Sequence, residues 1–570
     1  MKLSGAVRRF VFFTGKGGVG KTTVASAVAV YLADKGKRVL LISTDPASNL
    51  DEIFGTPLTS SPSQIPGIST LFALNINPET AAVNYRERIV GPYRSLLPKD
   101  VVMSIEEQLS GACTMEVATF DEFSKFLGDP QATDKFDHII FDTAPTGHTM
   151  RLLSLPAAWS DFLSSNSSVT TCLGPLAGLR EQKILYGRAR SMLTDREMTT
   201  MFLVSRPDKS SLSEAERTSL DLNVQGISNQ YLVLNGIFET DGSGDPTAVE
   251  IYKQQQDAID KMPEGLKHLE RFDFALRPFN PIGVEELRAF MGGKGKAKAS
   301  NSQYGIDIQD MPSFENMIDA LAVEDHGIIM TMGKGGVGKT TVASMIAVAL
   351  SNRGYSVHLT TTDPAGKFHM DTLPPNLRVS KIDAEMETAA YVQNVLRISA
   401  AGLDDEGMKL LEEDLRSPCT QEIAVFRAFS EVVAEGENKF VVIDTAPTGH
   451  TLLLLDAAES YHREVLRSTG NSPENIKRLL SRLTDRKLTK IIIVTLPEPT
   501  PVHEAAQLQS DMFRAGITPF AWIVNRSLIP LHIQDQTLSH RRAGELRYFA
   551  EVAAISNRTF LVGWKTERNI

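Results

Sequence analysis

Residues Gly15–Thr22 read GKGGVGKT, and the same eight residues return at Gly333–Thr340. Each copy fits the phosphate-loop pattern G-x-x-x-x-G-K-[ST], follows an apolar run and opens a helical run. The glycines of such a loop let backbone N–H groups turn inward around phosphates, and the helix N-terminus adds partial positive charge. The alternative is a glycine-rich turn without nucleotide, which this twice-repeated context disfavours. Two phosphate-binding loops (P-loops) are predicted.

The residue types inside these loops predict their roles. The lysine before the threonine pair is expected at the β- and γ-phosphates of ATP, and the first threonine at Mg²⁺. The predicted nucleotide-binding residues are Gly15, Gly17, Gly18, Gly20, Lys21, Thr22 and Thr23 in one copy, and Gly333, Gly335, Gly336, Gly338, Lys339, Thr340 and Thr341 in the other.

Working outward from the loops, five sequence blocks recur in the same order. They are GKGGVGKT at 15 and 333, TDPA at 44 and 362, DTAPTGHT at 142 and 444, LTDR at 193 and 483, and an apolar run ending in Asn at 235 and 525. In each of the last two blocks the second copy lies 290 residues after the first, which indicates a tandem duplication. We predict a first P-loop domain over 1–290, a linker over 291–314 rich in Gly, Lys, Ser and Asn, and a second P-loop domain over 315–570.

Short apolar strands alternate with helical stretches in both copies. VLLIST, HIIFDT, MFLVS and YLVLN in the first copy correspond to VHLTT, FVVIDT, IIIVTL and AWIVN in the second. Such alternation is typical of α/β proteins with a buried, mostly parallel sheet wrapped by helices. The predicted fold is two homologous P-loop domains forming a pseudo-dimer. The closing helical stretch of the first copy, from Pro281, has no counterpart in the second.

Composition excludes several classes of protein. The net charge of −10 over 570 residues argues against nucleic-acid binding by phosphate neutralisation. Only 3 cysteines occur, which excludes a disulfide framework and favours a reducing compartment. No signal peptide and no run of about 18 apolar residues is present, so we expect a cytoplasmic protein.

Each loop carries a second lysine, Lys16 or Lys334. On this residue the chain resembles the deviant P-loop ATPases, which include the nitrogenase iron protein and the plasmid-partition ATPases. In that group the extra lysine reaches across a dimer interface and supplies transition-state charge, much as an arginine finger does. The resemblance implies that Lys16 acts on the second site and Lys334 on the first. A lysine that serves only its own loop is the alternative.

Polar residues end several of the predicted strands. The resemblance makes Asp45 and Asp363 of the TDPA blocks the residues that orient or deprotonate the attacking water. It places Asp142 and Asp444 at Mg²⁺ through its waters; helix capping or turn formation is the alternative for each aspartate. The candidates for adenine recognition are Asn235 and Asn525, which could equally be turn residues.

The three cysteines form a candidate soft-metal site. Cys113 and Cys419 precede the DTAPTGHT aspartates by similar distances, whereas Cys172 lies in a stretch that is 12 residues longer in the first copy. Free cysteines are commonly small buried apolar residues, and duplication could account for the first pair. Three thiolates that converge would suit a soft trivalent metalloid better than structural zinc, which takes four ligands.

On the two-copy layout, the DTAPTGHT blocks and the cysteine positions, the chain resembles the arsenical pump-driving ATPase family. The resemblance implies that Cys113, Cys172 and Cys419 bind arsenite or antimonite between the halves and so stimulate ATP hydrolysis. It implies that His148 and His450 link the metalloid site to the nucleotide sites, with an ordinary polar histidine as the alternative. It also implies two partners, a membrane metalloid carrier and a small metallochaperone that delivers the ion. The ATPase would dock on the carrier at the inner face of the cell membrane.

Two other functions share the predicted fold. Tail-anchored-protein targeting ATPases are normally single-copy homodimers held by a CxxC zinc pair, and no CxxC occurs here. An ATP-driven partitioning or scaffolding switch would bind DNA or a surface through a basic patch, which the sequence does not show.

Overall fold

A computed structural model describes residues 5–45, 50–94, 98, 102–103, 106, 109, 112–143, 179–292, 312–363, 368, 373–399, 407–408, 411–412, 415, 418–445 and 474–564. The chain divides into two compact units. The first comprises Met1–Ala299 with Gln534–Thr537, and the second comprises Ser300–Ile533 with Leu538–Ile570.

The first half of the chain builds an eight-stranded sheet in the order β3-β4-β2-β5-β1-β6-β7-β8. Its strands are β1 Phe10–Thr14, β2 Val39–Ser43, β3 Ser63–Gln64, β4 Leu71–Asn75, β5 His138–Asp142, β6 Thr199–Ser205, β7 Gln230–Ile237 and β8 Arg271–Ala275. All neighbours are parallel except the short edge strand β3, which is antiparallel to β4. The predicted strands are therefore confirmed, and β1, which leads into the P-loop, is central.

Helices cover both faces of this sheet. They are α1 Lys21–Asp34, α2 Leu50–Phe54, α3 Pro78–Val90, α4 Ala112–Gly128, α5 Pro130–Thr133, α6 Leu179–Thr194, α7 Lys209–Val224, α8 Pro246–Asp260, α9 Glu264–Lys267 and α10 Val284–Phe290, with a 3-10 turn at Gly91–Tyr93.

The second half repeats this design with a seven-stranded, fully parallel sheet in the order β11-β10-β12-β9-β13-β14-β15. Its strands are β9 Gly327–Met332, β10 Val357–Thr361, β11 Leu377–Val379, β12 Phe440–Asp444, β13 Thr489–Thr495, β14 Ala521–Ser527 and β15 Thr559–Gly563. Its helices are α11 Phe314–Leu321, α12 Lys339–Asn352, α13 Ala384–Ser399, α14 Pro418–Glu435, α15 Glu474–Thr484, α16 Pro499–Arg514 and α17 Gln536–Ile555. Apart from β3, strand order is the same in both sheets, as the duplication predicts.

Alternating side chains of the central strand supply two apolar layers. In the first unit Val11 and Phe13 pack with α1 and α10 on one face, whereas Phe10 and Phe12 pack with α4 and α6 on the other. Every β1 residue is buried, so the strand reads as a continuous apolar run rather than an alternating one. This two-sided burial fixes the position of the loop that follows.

The helix that packs on the P-loop helix comes from a different part of each copy. In the first unit α10 packs on α1, and Arg288 makes an ion pair of 2.7 Å with Asp34. In the second unit α11, which precedes β9, packs on the equivalent helix α12, and Arg353 pairs with Asp319 at 2.8 Å. No helix follows β15 among the described residues.

No described helix combines the length and apolarity needed to cross a lipid bilayer.

Candidate functional site

Each P-loop joins the central strand of its sheet to the helix that follows. The last glycine of the loop adopts a left-handed backbone in both units, with φ of +88° at Gly20 and +92° at Gly338. A Cβ at either position would collide with the side-chain amide nitrogen of Asn235 or Asn525. Glycine is therefore required there both by backbone conformation and by space.

Those asparagines hold the loops from a strand of the same sheet. Asn235 Nδ2 donates to Val19 O at 2.9 Å, and Asn525 Nδ2 donates to Val337 O at 2.9 Å. The sequence pattern predicted adenine contacts at these positions. The structure gives both side chains a loop-positioning contact, which occupies one amide N–H and leaves the role in base recognition as a prediction.

The P-loop lysines fold back onto their own loops. Lys21 Nζ donates to Lys16 O at 3.3 Å, and Lys339 Nζ donates to Lys334 O at 3.0 Å. Both lysines are only 6% exposed. A cation so placed at a helix N-terminus favours an anionic ligand.

The second lysine of each loop contacts the helix that follows a neighbour of the central strand, β6 in the first unit and β13 in the second. Lys16 Nζ donates to Ser210 Oγ of α7 at 2.6 Å, whereas Lys334 Nζ forms an ion pair with Glu504 of α16. The Lys334 and Glu504 side chains are 16% and 10% exposed. Each of these lysines therefore rests within its own unit in this structure, one on a neutral group and the other on a carboxylate.

The aspartate at the end of β12 lies beside the second P-loop. Asp444 Oδ2 accepts hydrogen bonds from Thr340 Oγ1 at 2.7 Å and Thr361 Oγ1 at 3.1 Å. Its Oδ1 is buried and has no hydrogen-bond partner among the described residues. Burial raises the pKa of Asp444, opposed by these hydrogen bonds and the Lys339 charge. A hydroxyl and a carboxylate oxygen with remaining coordination capacity form a donor set that fits Mg²⁺.

The first unit repeats this layout. Asp142 is fully buried at the end of β5, paired in register with Phe13 of the central strand. Thr143 Oγ1 donates to Phe13 O at 2.9 Å, just as Thr445 Oγ1 donates to Thr331 O at 2.8 Å. The duplicated aspartates therefore end equivalent strands.

Asp45 and Asp363 follow β2 and β10, next to the strands that carry Asp142 and Asp444. The Asp45 N–H donates to Ser43 Oγ at 3.2 Å, and the Asp363 N–H donates to Thr361 Oγ1 at 3.0 Å. The carboxyl ends of parallel strands meet at one sheet edge, so each unit brings its two predicted aspartates to the P-loop edge.

The predicted metalloid site lies largely outside the described residues. Cys113 and Cys419 are the second residues of α4 and α14, which are equivalent helices. Their side chains, and Cys172, His148 and His450, are outside the part of the chain that the structure describes. Within the described part, no three metal-ligating side chains cluster.

The sequence patterns did not predict the helix residues that hold the second lysines. A signal was present, because the Glu-Ala pair at 214–215 recurs at 504–505 with the 290-residue offset of the last two blocks. This recurrence does not identify the contact residues in both copies, because Lys334 contacts Glu504 of the repeated pair whereas Lys16 contacts Ser210, which lies outside it.

Comparison with known families agrees with this architecture. A sequence profile of the family described as "Anion-transporting ATPase" matches residues 8–293, 326–469 and 455–559. The chain belongs to this anion-transporting ATPase family. The family match falls on both halves, which accords with the two P-loop units.

Individual relatives match over nearly the whole chain. An arsenical pump-driving ATPase of Escherichia coli is 49% identical over 540 residues, which cover 94% of this chain and 92% of the relative. One of Acidiphilium multivorum is 47% identical over 563 residues, covering 98% and 96%. An ATPase GET3 of Komagataella phaffii is 28% identical over 303 residues, covering 50% and 88%. The resemblance to arsenical pump-driving ATPases is confirmed, and the protein is an ATP hydrolase.

Proposed function

We propose that the protein is a metalloid-stimulated ATPase that powers efflux of arsenite or antimonite through a membrane carrier. The observation that carries this proposal is the identity of 47–49% to arsenical pump-driving ATPases over more than nine-tenths of both chains. Both P-loops keep the same geometry, so the proposal includes ATP at both.

The described residues suggest how hydrolysis would proceed. The P-loop N–H groups with Lys21 or Lys339 would hold the β- and γ-phosphates. Thr340 and Asp444 would hold Mg²⁺ in the second unit, as Thr22 and Asp142 would in the first; the bound cation would neutralise phosphate charge.

Two further groups would act on the reaction itself. Asp45 and Asp363, at the strand ends, would orient the attacking water. Lys16 and Lys334 would each supply positive charge to the nucleotide of the other site once released from Ser210 and Glu504.

The helix positions of two cysteines support a route from metalloid to nucleotide. Cys419 lies at the start of α14, which leads directly into β12 and Asp444. Cys113 lies at the start of α4, which leads through α5 into β5 and Asp142. A displacement of either helix start by a shared ligand would therefore act on the strand that ends at an aspartate of the ATP site. Cys172 would complete the site, and His148 and His450 follow the same aspartates in sequence.

Efflux of a metalloid ion across a membrane would require partner proteins. A membrane carrier would conduct the ion while the ATPase docks at the cytoplasmic face, and a small metallochaperone would deliver arsenite or antimonite. The tail-anchored-protein targeting alternative is less favoured, because such ATPases are normally single-copy homodimers held by a CxxC pair, whereas this chain carries two copies and no CxxC.

The proposal is tested by titrating the ATPase rate of the purified protein with antimonite, and with Zn²⁺ as a control for soft-metal effects. We expect a saturable rise of severalfold with antimonite and none with Zn²⁺, since a three-thiolate site suits a trivalent ion. A flat antimonite response in a protein that hydrolyses ATP would rule out metalloid stimulation.

A further inference from the structure

Arg526 has a left-handed backbone conformation, which is unfavourable for residues other than glycine. Its φ is +55°, and it is the one non-glycine residue with positive φ in the described part of the chain. The equivalent residue of the first copy, 290 positions earlier, is Gly236 with φ of +83°. The fold therefore needs a left-handed residue here, and the first copy meets that need with glycine.

The strain at Arg526 is maintained by contacts on both sides. Asn525 is held to the second P-loop through Val337 O, while Ser527 Oγ and the Leu528 N–H both donate to Glu545 Oε2 at 2.8 Å. The register of β14 against β15 also shifts between Val524 and Ser527, the mark of a β-bulge. Bulges and left-handed non-glycine residues cluster at ligand sites, where strain is tolerated for the sake of a side chain.

The Arg526 side chain is exposed and makes no hydrogen bond, ion pair or ring contact with any residue that the structure describes. Arginine therefore gains nothing for the fold that glycine would not provide with less strain. A free guanidinium at the P-loop edge of the sheet, one residue from a side chain that touches the loop, is suited to a ligand.

The position of β14 indicates which part of a nucleotide this arginine would meet. The P-loop follows β9, and β14 is two strands away in the order β9-β13-β14. With strands about 4.8 Å apart, residue 526 is offset from the P-loop strand by about 10 Å. That offset suits the base of a nucleotide whose phosphates lie in the loop, and a planar guanidinium stacks well on an aromatic ring.

We propose that Arg526 binds the face of the adenine base at the second P-loop, so that the second site binds ATP more tightly than the first. This inference rests on the proposed binding of ATP by the second P-loop. It makes the two duplicated sites unequal through one side chain, and it gives the strained backbone at 526 a function.

The test measures binding of a fluorescent ATP analogue to protein carrying Lys21→Ala, which silences the first P-loop. Adding Arg526→Gly should weaken this binding about tenfold, the loss expected for a desolvated cation–π contact. Arg526→Lys, which keeps the charge without the planar group, should fall between the two. Competition by tripolyphosphate, which has no base, should be unaffected by the change Arg526→Gly.

The first copy offers the matched experiment. In protein carrying Lys339→Ala, the change Gly236→Arg should tighten ATP binding at the first site. There is space for a side chain there, because a Cβ at Gly236 would lie 3.8 Å from Leu276 Cδ1 and meet nothing closer. Its φ of +83° would impose the same kind of left-handed backbone strain that Arg526 already bears.

Three results would contradict the proposed role of Arg526. Unchanged ATP affinity in Arg526→Gly, with a raised melting temperature, would show that the arginine only strains the fold. A parallel loss of tripolyphosphate binding would place the guanidinium on phosphate instead of the base. If the Lys21→Ala parent binds no ATP while Lys339→Ala protein does, the second P-loop is not a nucleotide site and the proposed function fails with the inference.

Discussion

At the residue scale, the two copies keep the same P-loop side chains and differ in the residues that surround them. Lys21 and Lys339 make the same loop contact in both units. Beside them, Gly236 corresponds to Arg526, and the serine that holds Lys16 is replaced in that role by Glu504. The duplicated chemistry is therefore embedded in two different electrostatic surroundings.

Glu545 on α17 gives a pH-dependent prediction. Burial raises its pKa to about 7 from an ordinary value of 4.5, despite hydrogen bonds from Ser527 and Leu528 that favour the charged form. Because the folded-state pKa is above the unfolded one, its contribution to stability is full below pH 4.5 and is lost as pH rises through about 7.

The variant Glu545→Gln keeps an acceptor oxygen but cannot ionise. Its melting temperature should equal that of the unmodified protein at pH 4 and exceed it by several degrees at pH 8, since 1 kcal/mol shifts the melting of a domain this size by about 2–4 °C. Glu551→Gln, on the same helix and partly exposed, is the control and should show no such gain. Equal pH profiles for Glu545→Gln and the unmodified protein would contradict the buried, titrating carboxyl.

At the element scale, the helices that follow β6 and β13 position the second lysines. Glu504 lies in α16 and Ser210 in α7, and each contacts the lysine of its own P-loop. The ion pair to Glu504 is largely shielded from water, so it should restrain Lys334 more than a single hydroxyl restrains Lys16.

The variant Glu504→Gln should therefore release Lys334 and raise basal ATP hydrolysis, without metalloid, about two- to tenfold. The factor by which antimonite stimulates should fall correspondingly, because part of the activation is already present. Ser210→Ala is the control and should change the basal rate little. A lower basal rate with Glu504→Gln would mean that the carboxylate assists hydrolysis instead of restraining the lysine.

The strands and P-loops were predictable from sequence because their signals are local. VLLIS and FVVID are near-continuous apolar runs, and both form buried parallel strands. The exchange of α10 for α11 on the P-loop helix was not predictable, since it depends on which surface is left uncovered after the sheet forms. The φ of Arg526 and the burial of Glu545 are likewise set by tertiary contacts that no local pattern records.

At the scale of the whole molecule, duplication produces two units with the same sheet order, each with its own P-loop and its own aspartates. The family match covers both units, and relatives named as arsenical pump-driving ATPases extend over nearly all of the chain. Cys113 and Cys419 stand at equivalent helix starts, one from each half. Cys172 has no counterpart and so cannot be a by-product of duplication.

In the proposed function a metalloid held by these three thiolates drives ATP hydrolysis, and Cys172→Ser tests this coupling most directly. The measurement is the antimonite dose–response of the ATPase rate, with Thr171→Ala, a change at the preceding residue, as the control. We predict that loss of one soft ligand of three moves the midpoint for Cys172→Ser to antimonite concentrations roughly tenfold higher or more, while the Thr171→Ala curve stays in place. A Cys172→Ser curve that overlays that of the unmodified protein would contradict the three-thiolate site.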